Sequence, residues 1–135
     1  MDLKSYFETT KGIGVLATAD SEGRVNAAIY ARPHVEEDGS LVFIMNNRLT
    51  YYNLQSNPHA TYLFCEEGPG YKGKRLYMTK LREEDDTERI QELSRRDAPE
   101  DTSGGKPKYL VYFRLDKEIP LVGGKKTTLA PEPNA

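Results

Sequence analysis

Leu3, Tyr6 and Phe7 fall at the i, i+3, i+4 spacing of one helical face and Gly12 follows, which predicts a short amphipathic helix at the start of the chain. Beyond it the period changes. Residues 14–19 (GVLATA) form an apolar run that ends in Asp20-Ser21-Glu22-Gly23, the composition of a hairpin loop. Residues 25–32 then alternate, with Val25, Ala27, Ile29 and Ala31 on one face and Asn26, Ala28, Tyr30 and Arg32 on the other. Pro33 has no backbone donor, so it breaks this run or marks an edge. A turn at Glu37-Asp38-Gly39-Ser40 leads into residues 41–45 (LVFIM), apolar throughout and therefore expected to be covered on both sides.

The second half continues in the same manner. Residues 50–56 predict a two-turn helix with Thr50 as its N-cap, Tyr51 and Leu54 on a shared face, and Asn57-Pro58 as its end. Residues 60–65 predict a strand, 67–70 a loop, and 75–81 a further strand. Residues 85–96 carry acid at the start and Arg95 and Arg96 at the end, as the helix dipole favours, with Glu88 three residues after Asp85. The apolar face of this helix is thin, chiefly Ile90 and Leu93, so it belongs on the surface. A polar loop over 98–106 precedes a sixth strand over 109–115 (YLVYFRL).

Six strands joined mostly by short turns, with no βαβ unit and no internal repeat, predict a mainly β fold with α decoration. The expected architecture is a six-stranded antiparallel barrel in one domain over residues 1–122, followed by a loose tail over 123–135. The sixth strand has apolar or aromatic residues on both faces, Tyr109, Val111 and Phe113 on one and Leu110 and Tyr112 on the other. A barrel core covers one of these, which leaves the second to a partner subunit or to the first helix with Tyr6 and Phe7.

Composition narrows the function classes. The 135 residues carry 19 Lys and Arg against 21 Asp and Glu, a net charge of −2, which argues against a nucleic-acid or anionic-membrane binder. No apolar run reaches a membrane span and the first residues lack a signal-peptide core, so a soluble cytoplasmic protein is expected. One cysteine, Cys65, excludes an internal disulfide and any multi-cysteine metal site.

Most chemical motifs have plain structural readings. The glycine-rich stretch over 68–74 does not have P-loop spacing and precedes a strand, so a hairpin loop accounts for it. His34 and His59 have no neighbouring ligand at a metal-binding spacing and are assigned surface or packing roles. Cys65 ends an apolar strand and fits a small buried hydrophobe. No arrangement supports hydrolytic chemistry, and no catalytic acid or base is marked. The segment Met45-Asn46-Asn47-Arg48-Leu49-Thr50 stands apart, because a helix N-terminus offers free N–H groups that suit a phosphate. Arg48 adds a charged fork and Thr50 a hydroxyl. A capped helix with a solvent-facing Arg is the alternative.

The ordered set Gly14-Val15-Leu16-Ala17-Thr18-Ala19-Asp20 with Gly23-Arg24-Val25, then Gly39-Ser40-Leu41-Val42-Phe43, then Asn53-Leu54-x-x-Asn57-Pro58-x-Ala60, resembles the pyridoxamine 5'-phosphate oxidase-like, FMN-binding split-barrel family. The resemblance runs from about Phe7 to Leu115. It implies a six-stranded antiparallel split β-barrel, a homodimer, and FMN in a groove between two subunits. Carried over by position, Arg48, Leu49 and Thr50 stand where the family grips the phosphate, with Thr50 in place of a Lys. The flavin ring is then expected along Asn26, Ala28, Ile29 and Tyr30 and against Met45 and Asn46. Two departures separate the chain from the oxidases proper: their Arg-x-Val-Leu-Leu-Lys strand pattern is replaced by Asn26-Ala27-Ala28-Ile29-Tyr30-Ala31, and there is no Trp. The resemblance is to the broad family and not to that enzyme.

The function expected from this resemblance is an FMN-dependent oxidoreductase acting on a small molecule. Its alternatives are a flavin-binding electron carrier without a substrate pocket, and a barrel that binds another ligand such as haem or a deazaflavin.

Overall fold

The computed structural model describes residues 2–94 and 108–123. The chain runs α1 (Leu3–Thr9), β1 (Gly12–Ala19), β2 (Val25–Ile29), β3 (His34–Val35), β4 (Leu41–Asn46), α2 (Leu49–Ser56), β5 (His59–Glu66), β6 (Gly73–Glu84), α3 (Thr87–Ser94) and β7 (Lys108–Pro120). The strands form one antiparallel sheet in the order β2-β1-β5-β6-β7-β4-β3, curled but not closed. This is a split barrel. All six expected strands form, and His34–Val35 adds a seventh, two-residue strand paired to β4. The alternating run over 25–32 therefore stops at Ile29, because Arg32 is drawn away to α1 and Pro33 supplies no donor. The expected loop over 98–106 and the tail beyond Gly123 lie outside the described residues.

Aromatic rings fill the interior. Phe7 of α1 meets Tyr62 and Phe64 edge-on, and Phe43 meets Tyr30, Tyr62 and Phe113 in the same way. Leu16, Leu76, Met45 and Leu54 complete this cluster. Tyr62 is held from both sides: its hydroxyl donates to the Tyr30 carbonyl at 3.0 Å, and its ring lies against Gly14.

The turns follow their chemistry. Asp20 Oδ1 accepts from the backbone N–H of Glu22 and of Arg24, both at 2.9 Å, and Gly23 supplies φ +82°. Asp86, and not Asp85, caps α3 by accepting from the Arg89 N–H at 3.2 Å. Arg89 then bonds both oxygens of Glu36, at 2.9 and 3.0 Å, which ties α3 to the loop before β4. Ile90 and Leu93 pack on Val42, Leu110 and Tyr112. The second face of β7 is thus covered within the chain by α3, and neither α1 nor a partner is needed there. LVFIM is buried on both sides as expected. Cys65 differs from expectation: it is half-buried on the outer face of β5. Among the described residues no helix is long and apolar enough to cross a membrane.

Helix α2 is seated by a single carboxylate. Glu83 of β6 accepts from the Tyr51 hydroxyl, from Lys80 Nζ at 2.7 Å and from Gln55 Nε2 at 3.1 Å. Tyr51 stacks on Tyr109 with ring centroids 4.3 Å apart. Burial resists ionisation of Glu83, but its bonds from Lys80, Tyr51 and Gln55 outweigh that and hold the carboxyl below the usual range.

Two outcomes follow. A Cβ on Gly14 would stand 1.8 Å from the Tyr62 hydroxyl oxygen. Gly14→Ala is expected to cost about 1–3 kcal/mol by overpacking, and to become near neutral when combined with Tyr62→Leu, as read from urea unfolding midpoints. An unchanged midpoint for Gly14→Ala contradicts this packing. Glu83 has a lowered folded-state pKa, so its stabilisation is present above the ordinary glutamate pKa and is lost as pH falls through the folded value. Glu83→Gln should lower the stability of the chain at neutral pH and flatten its pH dependence across that acidic window. Denaturant titrations at several pH values measure both effects, and parallel curves for parent and variant would exclude the linkage.

Candidate functional site

The short helix α2 bridges the split in the barrel, and the motif Asn53-Leu54-x-x-Asn57-Pro58 is what fixes it. Asn53 is buried and its Nδ2 donates to Thr18 Oγ1 of β1 at 3.1 Å. Leu54 enters the core. Asn57 ends the helix, donating from Nδ2 to the Asp20 carbonyl at 3.4 Å and accepting the His59 N–H at 3.1 Å. Pro58, which donates nothing, offers its carbonyl to the Lys80 N–H at 2.7 Å.

At the other end of α2 the arrangement differs from that expected. Arg48, not Thr50, occupies the N-cap position, and it makes no side-chain cap bond. The first N–H groups of α2 are therefore left without a side-chain acceptor. Thr50 is the second residue of the helix, 3% exposed, and its Oγ1 accepts from Asn26 Nδ2 at 3.3 Å. Tyr30 lies beside the same hydroxyl and within the field of Arg48. Burial raises the Tyr30 phenol above its ordinary pKa, while Thr50 and Arg48 pull it back. Arg48 is exposed, and its guanidinium has no ion-pair or hydrogen-bond partner among the described residues.

Four of the nine expected residues, Asn26, Tyr30, Arg48 and Thr50, thus meet at one place, with Ala28 between Asn26 and Tyr30 on the same face of β2. The others diverge. Ile29 points to the opposite face and is 72% exposed. Met45 is fully buried in the core, which leaves only its backbone for a ligand. The Asn46 side chain alternates with Met45 onto the face that α3 covers, and its Oδ1 is buried without a donor among the described residues. Leu49 is exposed. The chemistry of the four that converge is that of an anion site: free helix N–H groups, one unpaired guanidinium, and a hydroxyl already aimed by an amide.

Two grooves lie elsewhere on the surface. One, of about 630 Å³, is lined by Gly12, Ile13, Arg32, Cys65 and Glu66 among others. The second, of about 790 Å³, opens beside the C-terminal end of α2 and is bounded by Ala17, His59, Tyr77, Arg114 and Asp116 among others. Of this second group only His59 stands out in the sequence, with a surface or packing role expected for it, because the members come from separate strands and no local spacing joins them.

No family model matches the chain, and no curated protein matches it by sequence. Solved structures do. An FMN-binding protein from Syntrophomonas wolfei superposes with a TM-score of 0.72 at 19% identity, covering 91% of this chain and 86% of its own. HupZ of Group A Streptococcus superposes at 0.69 with 16% identity, covering 93% and 96%. An F420 reductase superposes at 0.67 with 20% identity, covering 86% and 94%. A candidate pyridoxamine 5'-phosphate oxidase from Listeria innocua gives 0.64 at 20% identity, with coverage of 89% and 98%. At these identities the likeness is one of architecture, and the open antiparallel sheet plugged by α1 and bridged by α2 has the fold of the pyridoxamine 5'-phosphate oxidase-like split barrels.

Proposed function

We propose that the chain is an FMN-binding flavoprotein, a homodimer, and an oxidoreductase acting on a small molecule in the cytoplasm. The observation that carries this reading is the start of α2, where uncapped N–H groups and the unpaired Arg48 stand next to the Thr50 hydroxyl. Those groups suit a phosphate monoester. There is one such short turn, and the Gly-x-Gly-x-x-Gly run over residues 68–73 joins β5 to β6 and opens no helix that could hold a pyrophosphate, which favours FMN over FAD. The FMN-binding protein among the fold neighbours supports the same choice. The F420 reductase neighbour makes F420 the second reading. When bound, the flavin supplies the electron transfer. This chain supplies the grip at Arg48 and Thr50, and Asn26 and Tyr30 hold the Thr50 hydroxyl in place.

The homodimer has its own support. The outer positions of residues 13–15, 27–29 and 63–65 carry no charged side chain, and Ile13 and Ile29 are 64% and 72% exposed. A contiguous apolar sheet face of this kind marks an interaction surface. A second copy is the partner we propose, because a two-fold axis sets uncharged surface against uncharged surface with no like-charge repulsion. The free thiol of Cys65 accords with a reducing cytoplasm.

Titrating the purified protein with FMN, FAD, F420 and riboflavin tests the cofactor. FMN should bind tightest, and equal or tighter FAD or F420 binding would count against it. Arg48→Ala should weaken FMN by about 1.5–3 kcal/mol for the loss of a charged hydrogen bond, with Thr50→Ala acting in the same direction. Riboflavin has no phosphate and should bind Arg48→Ala as it binds the parent; an equal loss of riboflavin would assign Arg48 to the fold. For the dimer, sedimentation equilibrium at micromolar protein should give twice the chain mass. Ile29→Asp, which puts a carboxylate on that face, should reduce it to one. A parent that sediments as a monomer with FMN bound would remove both the dimer and the shared groove.

A further inference from the structure

The groove beside the C-terminal end of α2 has a polar wall whose hydrogen bonds run in one direction. Register sets it up: His59 pairs with Thr79 across β5 and β6, and Thr79 pairs with Arg114 across β6 and β7. Between Met78–Leu115 and Tyr77–Lys117 the ladder slips, so Asp116 is an extra residue with no opposite number. Such bulges re-aim side chains. Here the bulge turns Asp116 onto its neighbours. Its Oδ2 accepts from Thr79 Oγ1 at 2.6 Å, and its Oδ1 accepts from Arg114 Nε at 2.8 Å. Thr79 Oγ1 also lies 3.4 Å from His59 Nδ1.

A hydroxyl has one proton to donate. Thr79 gives its proton to a carboxylate, the stronger acceptor, so it can only accept from His59. Nδ1 then carries hydrogen, and in the neutral ring Nε2 is the lone-pair atom. Nε2 has no partner among the described residues, and neither do the two terminal nitrogens of Arg114. Burial resists ionisation of Asp116, but the bonds from Thr79 and Arg114 prevail and keep it charged. The ionisable and charged groups that line the groove are His59, Tyr77, Arg114 and Asp116. Its floor is made of small side chains, Ala17, Ala19 and Thr61, which suits a flat molecule, and its volume of about 790 Å³ is ample for one.

We infer that this groove is a binding site for a small planar carboxylate carrying a hydroxyl at a non-adjacent ring position, with Arg114 holding the carboxylate and His59 Nε2 accepting the hydroxyl proton in a hydrogen bond. Thr79 and Asp116 are positioning residues: they fix the imidazole tautomer and the guanidinium fork. The site uses none of the residues assigned to the flavin phosphate and stands whether or not a flavin binds.

Binding of benzoate, 3-hydroxybenzoate and phenol to the purified full-length chain, followed by amide chemical shifts, tests it. The two carboxylates should give saturable shifts centred on His59, Thr79 and Arg114, with 3-hydroxybenzoate the tighter and phenol without effect. Arg114→Gln should weaken both carboxylates about tenfold or more, and Arg114→Lys should restore part of the loss. Thr79→Val should leave benzoate nearly unchanged and remove the advantage of the hydroxyl. Long-range nitrogen-proton spectra should report hydrogen on Nδ1 of His59 in the parent and a loss of that preference in Thr79→Val. Absent or non-saturable shifts, carboxylate binding that survives Arg114→Gln, or hydrogen on Nε2 in the parent would each overturn the inference.

Discussion

A β-strand has two faces, and a barrel interior buries only one of them. The structure answers this constraint differently on its two sides. Over β4 and β7 the outer face is apolar at Val42, Ile44, Leu110 and Tyr112, and α3 lies across it, pinned by the two bonds from Arg89 to Glu36. The pin works at a distance in sequence: a loop before β4 and a helix after β6 meet through one guanidinium. Over β1, β2 and β5 the outer face is just as free of charge, and no described element of the chain covers it. The asymmetry divides the molecule into a side that is finished within the chain and a side that is left open.

The candidate site owes its form to the same economy. An open sheet has a gap where its ends fail to meet, and α2 occupies that gap, contacting β1, β2 and β4. Its far end is fixed by Asn57 and its flank by Glu83, both through several bonds, so the helix has little freedom to tilt. Only its N-terminal end is unfinished. Free backbone donors there are a property of the fold, and the side chains of Asn26, Tyr30 and Thr50 act on a geometry that the anchored helix already supplies.

Sequence pattern was informative wherever chemistry is local. The DSEG and EDGS turns, the LVFIM strand with two covers and the Asn53 to Pro58 motif are each decided by neighbours within a few positions. Where the outcome depended on pairing across the sheet, pattern alone fell short. Nothing around Thr50 shows that the helix will begin at Leu49, with Arg48 at the N-cap position, or that the Thr50 hydroxyl will meet Asn26, 24 residues earlier. Tyr112 and Leu110 look unpartnered in sequence because α3, which covers them, has a thin apolar face. The Thr79–Asp116 bond joins residues 37 apart through a bulge, and a slip of register has no signature in the strand's own composition.

Arg32 adds a final point. It lies three residues beyond the end of β2, and its Nη1 donates to the carbonyls of Phe7 at 2.8 Å and Thr10 at 2.9 Å, at the end of α1. A helix of seven residues has almost no stability of its own. Its hold on the barrel comes from Phe7 inside, from the Tyr6 hydroxyl donating to Glu66 of β5 at 2.6 Å, and from this guanidinium. The strand bearing Asn26 and Tyr30 and the helix that seals the interior are therefore mechanically one piece: displacing the first residues of the chain, by a fusion or by a protease, pulls on the same segment that borders the anion site.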